Sequence, residues 1–65
     1  MAQYLVIDLD RFGYTMSKEF NDELTARGYA QTMAESRFLL KVELYQYNDV
    51  IGYCMIKRYD CEAEK

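Results

Sequence analysis

RFLLKVELYQY (37–47), ND (48–49) and VIGYCMIKRY (50–59) form two alternating runs of β-formers joined by a turn pair, which is the signature of a β-hairpin. With Asn48-Asp49 as a two-residue turn, the predicted cross-strand partners are Leu44 with Tyr53, Val42 with Met55 and Phe38 with Tyr59. One hairpin face then carries Phe38, Leu40, Val42, Leu44, Ile51, Tyr53, Met55 and Tyr59, and is expected to receive a helix and form the core. The other carries Leu39, Lys41, Glu43, Tyr45, Tyr47, Val50, Gly52, Cys54, Ile56 and Arg58, too apolar a set for a face that merely meets water. A slip of one residue would exchange the two sets.

Upstream of the hairpin, residues 3–9 read as a strand, with Leu5, Ile7 and Leu9 on one side and Tyr4, Val6 and Asp8 on the other. Asp10-Arg11-Phe12-Gly13 reads as a turn. Met16, Phe20 and Leu24 recur every four residues behind Ser17, a candidate N-cap, so a helix is expected over 17–27, closed by Gly28. The order β-α-β-β predicts an α+β domain spanning 1–65. Its mainly antiparallel sheet has three strands, or four, and carries one helix on one face, with the structure of 29–36 left open. A crossover would set the first two strands parallel, with the last strand between them. Residues 60–65 are expected to be a solvated acidic tail.

Composition limits the function classes. At 65 residues the chain sits near the lower size at which a single core suffices, while a hydrophobic fraction of 51% argues for folding over disorder. The net charge is −3 and the eight cations are scattered, with only Lys57-Arg58 adjacent, so a phosphate-tracking surface is disfavoured. The apolar run 4–7 is too short for a secretory core or a membrane span, which sets a cytoplasmic protein as the expectation. Cys54 and Cys61 would lie roughly 23 Å apart along an extended strand, so both are expected to be thiols. With no His in the chain, none of the common zinc ligand sets is available, and no cofactor is expected.

Each candidate site competes with a plainer role. Asp8 and Asp10 end the first strand on one side, where open sheets place metal ligands or acid/base groups. Asp beside Arg11 and Gly13 is equally what a turn uses to bond its own backbone, and that reading is preferred. The tyrosines could stack on bases, but Glu43, Asp49, Asp60, Glu62 and Glu64 surround them. What remains is the surplus apolar surface, with Leu39, Glu43, Tyr45, Tyr47, Val50 and Ile56 as candidate partner-binding residues. The expectation is a non-enzymatic protein-binding module, an inhibitor or adaptor of a larger protein of the kind phages and mobile elements carry, acting through an open sheet face or strand edge. The alternative is a homo-oligomer, at its simplest a homodimer, binding nucleic acid or a small ligand across its assembled surface.

Overall fold

A computed structural model describes residues 2–61. Strand β1 (Tyr4–Asp10) and strand β2 (Thr15–Phe20) form a first hairpin; helix α1 (Glu23–Ala34) comes next, and strands β3 (Leu39–Asn48) and β4 (Gly52–Asp60) form the second. All neighbours are antiparallel and the sheet order is β2-β1-β3-β4. The α+β class, the first strand with the turn after it, one helix among the described residues and the C-terminal hairpin are as the sequence indicates; residues 15–22 are not.

Thr15–Phe20 is a strand, so the helix expected over 17–27 starts later. The turn ahead of it decides this. Asp10 Oδ1 accepts from the amides of Phe12 and Tyr14 at 2.9 and 3.0 Å, and Gly13 takes φ +94, so the chain reverses directly onto β1. Asp22, not Ser17, is the N-cap: its carboxylate accepts from the Thr25 amide and hydroxyl, both at 2.8 Å. The helix continues through Gly28, at a cost of about 1 kcal/mol relative to alanine. Its inward stripe is Ala26 and Ala30, flanked by Tyr29, Met33 and Ala34, whereas Leu24 is 81% exposed. Small residues in this stripe let the helix lie close to the sheet.

The additional strand changes the direction of β3. Because β2 has already returned the chain to the start of β1, α1 carries it back to the far end, and β3 descends beside β1 antiparallel rather than parallel. The expected order, with the last strand between the first two, does not form: β4 lies at the sheet edge, the strands that run in the same direction are β2 and β3, and β1 lies between them.

The second hairpin also departs from its expected register. Its loop is 49–51, with Asn48 Oδ1 accepting from the amides of Val50 and Ile51 and with Gly52 at φ +86. Val50 and Ile51 therefore stand exposed at the tip instead of starting a strand. Leu44 pairs with Lys57 and Val42 with Tyr59, while Tyr45 pairs with Met55 and Tyr47 with Tyr53; the intervening shift leaves Ile56 unpaired in a bulge. Tyr53 and Met55 thus join Tyr45 and Tyr47 on the face away from the helix, and Phe38, expected in the core, is 68% exposed just outside β3. A second irregularity, between Leu9 and Asp10, sets Leu39 opposite Asp10 and turns it into the core.

The core is small: Val6, Val42 and Leu44 from the two central strands, Ala26 and Ala30 from the helix, and Leu39 and Cys61 at one end. Tyr4, Phe20, Tyr29 and Tyr59 close it from the sides, with the Phe20 and Tyr29 rings 5.1 Å apart. Cys61 was expected in a solvated tail; it is buried, and its amide donates to the Leu40 carbonyl at 3.1 Å, while residues 62–65 of that tail lie outside the described residues. Cys54 and Cys61 are both thiols.

Candidate docking face

Alternation along β1 sends Tyr4, Val6 and Asp8 under the helix and Leu5, Ile7 and Leu9 to the opposite side, where no other element of the described chain packs. The register builds that side row by row. Leu5 lies between Glu19 and Tyr45, and Tyr45 in turn pairs with Met55. Ile7 lies between Ser17 and Glu43, which pairs with Arg58. Leu9 lies between Thr15 and Lys41, which pairs with Asp60. Beyond the Leu5 row, Tyr47 and Tyr53 meet edge to face with centroids 5.3 Å apart, and the Tyr53 hydroxyl donates to the Ala2 carbonyl at 2.7 Å.

An apolar field therefore runs down the Leu5, Ile7 and Leu9 column and spreads over Tyr45, Tyr47, Tyr53 and Met55 at one end. Four charges fill the remaining corner in alternating sign. Lys41 reaches Glu43 at 3.5 Å and Arg58 reaches Asp60 at 3.4 Å. The Tyr45 hydroxyl donates to Glu43 at 2.9 Å, and this bond to a carboxylate, more than partial burial, raises the tyrosine pKa. Such a face can take up an apolar and aromatic surface with a charged margin.

Of the residues singled out from the sequence, Glu43, Tyr45 and Tyr47 come together on this face. Leu39 does not; it is 7% exposed in the core beneath the helix, so it is withdrawn from the surface set. Val50 stands at the hairpin tip, 88% exposed, and Ile56 occupies the edge-strand bulge. Leu5, Ile7, Leu9, Tyr53 and Met55 complete the face. The alternation of β1 already grouped the first three; the last two were legible only from Gly52, the residue that ends the turn.

The carboxylates expected at the end of β1 separate in role. Asp10 is occupied in bonding its own turn. Asp8 is 5% exposed beneath the helix, opposite Val42 and Met16, and burial first, then the charge of Asp10, raises its pKa. Tyr29 is raised by burial and by the charge of Asp8. Among the described residues no three of His, Cys, Asp and Glu come together as a metal site. Nor is any helix among them long and apolar enough to cross a membrane.

No family model matches this sequence, and no curated protein or solved structure matches it either.

Proposed function

We propose that this chain is a non-enzymatic protein-binding module that docks its open sheet face on a folded protein, in the manner of an adaptor or inhibitor. The observation that carries the reading is the Leu5, Ile7, Leu9, Tyr45, Tyr47, Tyr53 and Met55 field, which lies on the side of the sheet away from the one helix. A contiguous apolar surface of this kind costs solubility, and tyrosine supplies large contact area with little side-chain entropy to lose. The covered side of the same sheet supplies the core, so the open side is available for binding without dismantling the fold.

Nucleic acid is the weaker partner class, because the cations of this face, Lys41 and Arg58, each have a carboxylate within 4 Å. The test is affinity capture with the tagged chain beside Met55→Lys, Tyr47→Glu and the far-side variant Leu24→Lys, each confirmed folded by circular dichroism. A stoichiometric protein retained by Leu24→Lys and lost by both face variants is the expected result. A partner that binds all three equally would move the site elsewhere on the chain.

A further inference from the structure

We infer that strand β2 is a self-pairing edge: two copies of the chain join β2 to β2 antiparallel about a two-fold axis normal to the sheet, with Ser17 opposite Ser17 of the copy. The dimer stands on that edge alone; what it does to docking rests on the reading above.

The edge is open and regular. β2 ends the sheet order, and five of its six residues are exposed. The Asp10 amide donates to the Tyr14 carbonyl at 2.9 Å, and bonding alternates along an antiparallel pair. Met16, Lys18 and Phe20 therefore bond to β1, while Thr15, Ser17 and Glu19 turn their amides and carbonyls outward. Proteins commonly blunt such an edge with a bulge or a lysine. The other edge, β4, has its bulge at Ile56. β2 pairs with β1 without a shift, and Lys18 lies back over the Tyr29 ring, 5.8 Å from its centroid, instead of guarding the edge.

Side chains choose the register. Opposed residues must share a face, and only two such registers pair five residues of β2 with a copy of itself. Centred on Lys18, the pairing sets two ammonium groups side by side, which repel. Centred on Ser17, it sets Thr15 beside the copy's Glu19 on the open side and Met16 beside the copy's Lys18 on the helix side, so no like charges meet. The outward groups of Thr15, Ser17 and Glu19 then bond those of the copy, and Tyr14, 71% exposed, falls opposite the copy's Phe20.

The helices do not obstruct this pairing. α1 packs over β1 and β3 through Ala26 and Ala30, so at about 4.8 Å per strand the two helix axes lie about 19 Å apart, twice the distance at which helices touch. The axis keeps both helices on one side and both open faces on the other. An eight-stranded sheet results, with two docking faces side by side that one partner assembly can engage together.

Sedimentation velocity of the pure chain from micromolar to submillimolar concentration tests the inference, with amide hydrogen exchange as a second readout. The expected result is a dimer in which the Thr15, Ser17 and Glu19 amides exchange more slowly as concentration rises, and whose dissociation constant rises about tenfold or more in Ser17→Pro and in Ser17→Glu. Proline removes only an outward amide, a change that edge strands tolerate. Ser17→Glu sets two carboxylates side by side and reports on association even if Ser17→Pro fails to fold. Met55→Lys should dimerise as the unaltered chain does, and Ser17→Pro should still capture the partner protein, so the edge and the face fail separately. A monomer at every concentration overturns the dimer and leaves the docking reading standing. A dimer indifferent to both Ser17 variants also overturns the inference, as does one in which those three amides exchange no more slowly than in the monomer.

Discussion

The two faces of the sheet are made from the same strands and similar residues, yet they are held differently. Under the helix, Val6, Val42 and Leu44 are wholly removed from water. On the other side Leu5, Ile7, Leu9 and Tyr45 are only partly buried, sheltered by one another. The contrast teaches how a short chain divides its apolar side chains: one face is used up in folding, while the proposed docking face keeps apolar surface at its boundary with water.

The largest effect should come from breaking the covered face. Leu44→Ala removes a fully buried side chain at the sheet centre and should cost about 2–5 kcal/mol, measured as a shift in urea midpoint. Leu5→Ala, the matched change on the open side, should cost roughly 1 kcal/mol. Equal losses would mean that both faces are core, and the division of labour would fail.

The next test sharpens the comparison through Asp8, a buried carboxylate on the covered side. Asp8 has its folded pKa raised above the unfolded value, chiefly by burial. Between those two values the folded state binds the extra proton, so this group makes stability fall as pH rises through that interval and holds it lower above it. Asp22 works in the opposite sense: bonds from Thr25, the backbone bond first, lower its pKa, so its contribution is lost as pH falls. The effects are separated by difference. Asp8→Asn should abolish the part of the stability profile that improves on acidification just above pH 3.8, while wild type retains it. Superimposable profiles would mean that Asp8 is solvated in the folded chain.

How far the sequence discloses this comparison depends on its periodicities. Strand β1 is legible because its alternation is unbroken from Tyr4 to Leu9. Strand β2 is not, because Met16, Phe20 and Leu24 are spaced by four, a step that fits a helix and is also twice the repeat of a strand. Helix α1 hides its inward side in Ala26 and Ala30, which carry little hydrophobic signal, and Gly28 resembles a stop. On the candidate face, Glu43, Tyr45 and Tyr47 are readable from β3 alone. Leu39 and Ile56 are not, since each sits at a register shift that no alternation encodes, and Val50 belongs to a turn whose length is set by Gly52.

A smaller effect, opposite in sign, probes the outer side of the helix. Gly28 is exposed, lacks a positive φ, and a Cβ built there meets nothing within 4 Å. Gly28→Ala should therefore stabilise the fold by about 0.5–1 kcal/mol in thermal or urea unfolding. Such a gain would show that α1 is held by its inner stripe against the sheet, at the expense of its own propensity. A loss would place Gly28 against something, and the outer side of the helix would become a second binding surface.

The smallest change in stability should accompany the largest change in recognition. Met55 is 48% exposed at the open end of the apolar field, so Met55→Lys gives up little packing, and the long lysine stem can cover the same neighbours while its charge reaches water. Its unfolding free energy should move by less than about 0.5 kcal/mol. Yet a cation on that field must be desolvated whenever another apolar surface is pressed against it, which binding cannot recover without a paired carboxylate. Unchanged unfolding with weakened association, read on the same preparation by urea titration and affinity capture, is the outcome that separates the two faces most cleanly. Unfolding lowered in step with association would instead make Met55 part of the fold's own support, and the open face would be a second, thinner core.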